Sequence, residues 1–505
     1  MGNRLMRSHA RLRSGTSFGA GTLLLLSLFT PSLSCAAAGD PAPASSDIPK
    51  LSAKAAKGDA KAEVALGERY QNGIGVEQSY EKAAGLYEAA AKRGSALADL
   101  YMGDLYRFGL GVPQDPEKAS QWYLKAAMKG NVTAEDDLAR MYLWGQGVTK
   151  DPSKAVYWYE KAAAKKDDLA EFSLAQLYYS GTGVKQDYAE SVRWNKRAAA
   201  QGNLKSEGNL GYMYLTGQGV PKDVTVSLMW YQKAAAYNDA VAENALGDIY
   251  ASGTDVKQDY ATAFTWYQKS SDSGDPEGEY KLAGLYYFGK SVPIDKAKAL
   301  TLLKASGNGG YAPAQFGLSN VYSDGQQEPI DLNTAHSWLA ASAIQGYLPA
   351  VCSQAAETVF GPASDPDRVQ AITKLEAGAH KGAFECINNL AWYRATTVGV
   401  KEQDVTEAEQ MMEAVLKVQP TNSAYLDTMA AIYAAQGHFD AAASEQQKAI
   451  DSVKDAQQFP EFMKVAKDRL TLYQSGKPYI APPPPATMAP AATTAPAAST
   501  RPAQH

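Results

Sequence analysis

The chain has little of what builds a catalytic or metal centre. Its 505 residues include only three cysteines and five histidines. Cys35, Cys352 and Cys386 are too few to staple a chain of this length, so its stability must come from packing. His9, His336, His380, His438 and His505 are widely separated, and no HExxH or CxxC motif accompanies them. No catalytic residue, cofactor or metal ligand is expected, and the chain is read as not an enzyme. Positive charge is also short, with 49 basic residues against 54 acidic ones. Residues 1–35 hold four arginines and no acid, so without them the balance is 45 against 54, which argues against nucleic acid as a partner. No apolar run after the leader is long enough for a membrane span.

Residues 1–38 have the pattern of a secretory signal. Arg4, Arg7, Arg11 and Arg13 precede a short apolar core, Phe18 to Phe29, and small residues follow from Ser34 to Ala38. Two processing routes remain open. Cleavage near Ala38 releases a periplasmic protein. Cleavage before Cys35, with lipid added to its thiol, leaves an outer-membrane lipoprotein of a Gram-negative bacterium. Residues 39–50 read as a linker, and residues 481–505 as a disordered Pro/Ala-rich tail.

What the chain does have is a period. Gly73, Gly109, Gly145, Gly181, Gly217, Gly253, Gly289, Gly325 and Gly361 are spaced by 36 residues without an insertion. Between Ala98 and Gly130 the unit reads as two helices. Ala98, Met102, Leu105 and Tyr106 form one face of the first, with Gly103 beside it. Gly103 has small equivalents in other copies and is expected to admit a neighbouring helix closely. Gly109-Leu110-Gly111-Val112 forms the hinge. Asp115 caps the second helix, Pro116 opens it, and Ala119, Trp122, Tyr123, Ala126 and Ala127 give its apolar side. The Gly-x-Gly hinges are superficially like phosphate-binding turns, but they follow helices where a nucleotide loop follows a strand.

One helix pair cannot bury its apolar side alone, whereas stacked pairs can. The pattern resembles the Sel1-like repeat, a relative of the tetratricopeptide repeat. The resemblance implies an all-α fold, a right-handed α/α superhelical solenoid. Nine repeats are expected from residue 62, within a solenoid spanning 51–382 that starts with a capping helix at Leu51 to Lys57. Residues 383–480 resemble tetratricopeptide-like C-terminal helices. Some relatives staple every repeat with a disulfide, a pattern this chain lacks. Cys352 and Cys386 fall in the first helices of successive units. An oxidising compartment would allow them to pair, but ordinary helix spacing exceeds the Cα separation of about 4.4–6.8 Å that a disulfide needs.

The recurrent Trp-Tyr pairs, such as Trp122-Tyr123 and Trp158-Tyr159, are expected in the core because of their helical phase. Glu63, Asp99, Glu135, Glu171, Glu207, Glu243 and Glu279 share one position near the start of each first helix. Interaction with the positive helix N-terminus explains them. The functional alternative is an acidic ladder that orients a basic partner. Asp104, Arg140, Gln176 and Tyr212 share a second position, expected on the exposed face of the first helices and varied enough to select a ligand. The resemblance implies a non-enzymatic scaffold for protein or peptide partners in the bacterial envelope. A role in an exopolysaccharide export or envelope assembly complex is the alternative. A cell-wall or β-lactam-directed enzyme is a remote one, for which no nucleophile–base pair is present.

Overall fold

In the computed structural model, residues 47–325, 327–361, 364–453 and 460–481 are described. The secretory signal, Cys35 and the Pro/Ala-rich tail beyond Ala481 lie outside these residues. Regular structure among the described residues is helical throughout, with no strand. The chain divides into two compact units between Asp295 and Lys296, inside the run of repeats.

The first unit contains α1 (Ile48–Ala55), α2 (Ala60–Asn72), α3 (Tyr80–Lys92), α4 (Ala96–Phe108), α5 (Pro116–Met128), α6 (Val132–Trp144) and α7 (Pro152–Ala163). It continues with α8 (Asp168–Ser180), α9 (Tyr188–Ala200), α10 (Leu204–Thr216), α11 (Val224–Ala235), α12 (Ala240–Ser252), α13 (Tyr260–Asp272) and α14 (Pro276–Phe288). Consecutive helices pack as pairs. The capping helix starts at Ile48, three residues before its expected start, with Pro49 in its first turn. The first repeat helix starts at Ala60 because the Asp59 side chain accepts hydrogen bonds from Lys61 N and Ala62 N.

Each reversal is fixed by backbone and cap together. Gly109 closes α4 in the left-handed region at φ 70°. Asp115 N then donates to Tyr106 O at 2.8 Å, while Asp115 Oδ1 accepts from Lys118 N and caps α5. The same bond from cap to tyrosine carbonyl recurs at Asp151–Tyr142, Asp187–Tyr178, Asp223–Tyr214 and Asp259–Tyr250. Gly111 serves a different need. A Cβ there would stand 2.4 Å from the carbonyl carbon of Tyr80, where the hinge of one repeat meets the next helix of the preceding one.

The core alternates alanine and tyrosine. Tyr87, Tyr123 and Tyr159 are fully buried among Ala83, Ala90, Ala119, Ala126, Ala155 and Ala162. Burying a large side chain of this kind contributes roughly 1.5–3 kcal/mol. Gly103 makes room for this as expected: a Cβ there would lie 2.6 Å from the Tyr123 ring. The Trp-Tyr pairs divide, with the tyrosines in the core and the tryptophans half-buried.

The second unit contains α15 (Lys296–Asn308), α16 (Ala312–Asp324), α17 (Leu332–Ile344), α18 (Leu348–Phe360), α19 (Asp365–His380) and α20 (Phe384–Thr396). Its remaining helices are α21 (Glu402–Val418), α22 (Ser423–Ala435), α23 (Phe439–Asp451) and α24 (Pro460–Gln474). The ninth hinge departs from the rest. Gly361 is extended, with φ −92° and ψ −176°. Cys352 on α18 and Cys386 on α20 form a disulfide, with Cα atoms 4.8 Å apart. This corrects the argument from ordinary helix spacing. Gly378 of α19 explains how the two helices come so close: a Cβ there would stand 2.1 Å from Cys386 Sγ.

Candidate interaction surface

The acidic positions of the first helices are not a surface ladder. Glu63, Asp99, Glu135, Glu171, Glu207 and Glu243 are each at most 3% exposed, and Glu279 is half-buried. Each buried acid is met by its own repeat, because antiparallel packing brings the C-terminal end of the second helix to the N-terminal end of the first. Arg93 reaches Glu63 at 3.2 Å, Lys129 pairs with Asp99, and Lys165 reaches Glu135 at 2.7 Å. Each cation lies 30 residues beyond its acid. Glu171 has both Gln201 at that spacing and Arg197 one turn earlier, each at 2.7 Å. From there only the earlier position continues: Lys233 pairs with Glu207 at 2.8 Å, and the charge of Lys269 acts on Glu243. Burial raises the Glu243 pKa, and Lys269 opposes that shift. The sequence signal for this clasp was a cation 26 or 30 residues after each acid. At Glu279 those positions are Ala305 and Gly309, which carry no charge.

The second set of positions is also less exposed than expected. Asp104, Arg140 and Tyr212 are half-buried, and Gln176 is only 5% exposed. They face the tyrosines of the second helices. Tyr123 Oη donates to Asp104 at 2.7 Å, and Tyr267 Oη donates to Asp248, its equivalent in the sixth repeat, at 2.7 Å. Neighbouring repeats are linked along the same strip. Tyr101 Oη donates to Glu68 at 2.6 Å, Arg107 to Asp137 at 3.0 Å, and Lys281 to Asp248 at 2.7 Å.

Around Arg140 the strip becomes a charged cluster that reading single positions missed. Arg140 bridges Asp136 and Asp137 from its own helix, and Arg107 reaches Asp137 from the preceding repeat. The D-D-x-x-R spacing of Asp136, Asp137 and Arg140 was the available signal. Burial lifts Asp136 to about 7, with Arg140 opposing the shift and Asp137 adding to it. Burial also lifts Asp104 to about 7, against the hydrogen bond from Tyr123. The strip is therefore a row of side chains held in place by neighbours, with different chemistry in each repeat.

The opposite chemistry lies on the second helices. Lys125 stands 3.7 Å from the centre of the Trp122 ring, Arg197 covers Trp194, Lys233 covers Trp230 and Lys269 covers Trp266. These ring faces are occupied by cations of the protein itself.

One hinge carries a further pattern. Gly284 to Ser291 spells G-x-x-x-x-G-K-S, the phosphate-binding pattern. In the structure Gly284 to Phe288 is the end of α14, and the loop follows a helix where a phosphate cradle needs a strand before it and a helix after it. Lys290 lies over the Tyr260 ring, 5.3 Å from its centre. A cavity of about 320 Å³ in the second unit is lined by Leu390, Tyr393, Arg394, Val400 and Lys401 among others. Its arginine is engaged by Glu376 at 3.7 Å and Glu407 at 3.5 Å. Among the described residues no group of three or more His, Cys, Asp or Glu could hold a metal, and no helix is long and apolar enough to cross a membrane.

Stacked helix pairs with a residue-variable strip define a helical-repeat protein of the kind that mediates protein–protein interaction. Comparison with known families places eight Sel1 repeats across residues 60–347, in register with the helix pairs from α2 to α17, and the chain belongs to the Sel1 repeat family. The ninth pair and the C-terminal helices fall outside that match. Among solved structures, the chain is similar to c5321, described as a protective antigen present in uropathogenic Escherichia coli strains displaying an SLR fold. That likeness has 29% identity and a TM-score of 0.56, covering 85% of this chain and 92% of that one. It is also similar to a Sel1 repeat protein from Oxalobacter formigenes, at 30% identity and a TM-score of 0.51, covering 59% of this chain and 86% of that one. No curated protein matches the chain.

Proposed function

We propose that the chain is a non-enzymatic scaffold of the bacterial envelope, and that the first-helix strip of the first unit holds a protein or peptide partner. The observation that carries this reading is the pre-ordered strip itself. Glu68, Asp104 and Asp248 are held by tyrosine hydroxyls, and Arg140 by two aspartates, so a partner meets groups already in position. Fixing side chains before binding reduces the entropy lost on association. Export is supported by the signal pattern of residues 1–38. The Cys352–Cys386 disulfide supports it too, since such bonds persist in oxidising compartments.

The test is capture from a bacterial envelope fraction by the mature protein. Tyr212→Ala and Asp248→Ala should lose a co-eluting protein that Lys125→Ala, on the second-helix face, retains. Equal capture by all three would sink the strip as the binding surface. Mass measurement of the mature N-terminus separates a soluble protein from one lipidated on Cys35. The alternative place in an exopolysaccharide export complex would show as Cys35 lipidation together with co-elution of an export pore.

A further inference from the structure

The last described residues of the chain return to the second unit. After α24, Gly476 turns the backbone at φ 69°, and Lys477 N closes the helix by donating to Leu472 O at 3.1 Å. Residues 477–481 then run back to α20. Tyr479 lies on Trp392, with ring centres 5.8 Å apart. The Arg469 guanidinium stands 5.1 Å from the Trp392 ring centre and 5.5 Å from that of Tyr479. Ala481 N donates to Thr396 O, the last residue of α20, at 3.0 Å. Tyr479 also packs on the cluster of Ala430, Ala434 and Tyr473.

The receiving surface is rigid and the occupant is slight. Arg469 is locked by a two-point pair with Asp427, at 3.0 and 2.7 Å, and Gln446 donates to the same carboxylate at 2.7 Å. Arg469, Asp427 and Gln446 are all buried. By contrast Lys477 and Pro478 are exposed, Ile480 is 47% exposed, and Tyr479 is only half-buried. One ring and one backbone bond hold the segment down. Beside it, the fully buried Tyr473 hydroxyl and Gln446 Oε1 have no hydrogen-bond partner among the described residues.

We propose that the platform of Trp392, Arg469 and Thr396 is a second docking site, for an extended partner segment carrying an aromatic residue followed by an aliphatic one. In the free protein the chain's own Tyr479-Ile480-Ala481 fills that site. The partner would stack its ring on Trp392 and donate a backbone N–H to Thr396 O, as the resident segment does. The cation over the ring stack adds selectivity for aromatic over aliphatic side chains. A segment tethered this closely competes at an effective concentration on the order of millimolar, so only a better-fitting partner displaces it. This site is independent of the strip in the first unit, and either can fail alone.

The probe is a labelled peptide copying residues 475–487, followed by fluorescence anisotropy on the full chain. Tyr479→Ala in the protein should strengthen peptide binding by about ten-fold or more over the unaltered chain, because the resident competitor is gone. Adding Trp392→Ala to that variant should abolish the gain, as should replacing the tyrosine of the peptide by alanine. Ala481→Pro removes the N–H donor without touching the ring and gives a second route to an open site, should Tyr479→Ala fold poorly. If both variants melt like the unaltered protein and neither takes up more peptide, residues 477–481 are fixed structure and the proposal is wrong. If the unaltered chain instead gains mass with concentration and the peptide reverses this, the occupant is the C-terminal segment of a second copy, and the assignment to a different partner falls.

Discussion

In repeats one to six, every first helix carries a buried carboxylate near its start; in the first five a cation from the same repeat pairs with it, and in the sixth the charge of Lys269 opposes its desolvation. In the eighth repeat, in the second unit, the same positions hold neutral groups. Gln315 replaces the acid in α16, and Gln345, 30 residues on, donates to its Oε1 at 2.8 Å. In the ninth repeat the acid position is Val351, and the adjacent Cys352 ties α18 to α20 through Cys386. One end of the helix pair needs closing in both units. In the first unit it is closed by charge and in the eighth repeat by an amide pair, while in the ninth a disulfide ties the starts of two successive first helices. The geometry of the pair therefore sets the requirement, and several chemistries meet it. The two units should accordingly respond to different insults.

The largest expected difference is to reduction. Replacing Cys352 and Cys386 together by serine, or adding a strong reductant, should destabilise the second unit by roughly 2–5 kcal/mol. The first unit should melt unchanged. Calorimetry under oxidising and reducing conditions would show one transition moving and one fixed. If both move together, the two units do not unfold separately and the comparison fails.

The next effect belongs to the clasp. Lys233 is the only cation at either clasp position for Glu207, since Tyr237 occupies the later one. Lys233→Ala leaves a carboxylate that is 0% exposed without its ion pair. Because Lys233 is itself about half exposed, the cost should fall to about 1–3 kcal/mol, below that of breaking a fully buried pair. Urea denaturation followed by tryptophan fluorescence measures it. A loss under about 0.5 kcal/mol would mean that solvent already reaches the carboxylate.

A smaller effect depends on pH. Burial lifts the folded-state pKa of Asp104 to about 7, well above its ordinary value. Between about pH 4 and pH 7 the folded protein then binds more protons than the unfolded chain, so this group makes stability fall as pH rises through that window. Asp104→Asn keeps an acceptor for Tyr123 and removes the titration. The variant should match the parent near pH 4 and exceed it by roughly 1–2 kcal/mol at pH 8, after allowance for solvent screening. Parallel stability curves for the two proteins would show that Asp104 is already ionised at neutral pH in the folded state.

The fold was legible because its signals are periodic. A cap, a hinge glycine and an Ala-Tyr core face recur at one spacing, so each copy tests the others. The face of the acids was not legible from position alone. Glu135 reads as a helix-start acid in an exposed polar register, and only the antiparallel return of α7 brings Lys165 over it. The disulfide was hidden for the same reason. Ordinary helix spacing argued against it, and the local exception is made by Gly378, which belongs to neither cysteine's helix. The strip positions share one phase in the sequence, but their burial depends on tyrosines one helix away. Pairwise signals at separations of 26 and 30 residues carry what single positions cannot.

The smallest predicted effect sharpens the comparison most. Glu135 has Lys165 at the later clasp position and Lys161 one turn earlier. In the parent Lys161 lies over the Tyr157 ring, 5.3 Å from its centre, and is not the cation paired with Glu135. It occupies the position from which Lys233 serves Glu207, so a change of rotamer suffices for it to replace Lys165. Lys165→Ala should therefore cost only a few tenths of a kcal/mol, in the range of an exposed ion pair. It should cost distinctly less than Lys233→Ala, although the two lysines hold equally buried acids. Lys161→Ala alone should be near neutral, since an exposed stack of this kind contributes about 0.5–1 kcal/mol at most. The Lys161→Ala/Lys165→Ala double variant should lose more than the sum of the singles, reaching the Lys233→Ala range, because only then is Glu135 left without a cation. Additive losses in that double-mutant cycle would show that the two positions do not substitute for each other. The shift from 30 to 26 residues along the first unit would then be two separate devices and not one device displaced by a helical turn.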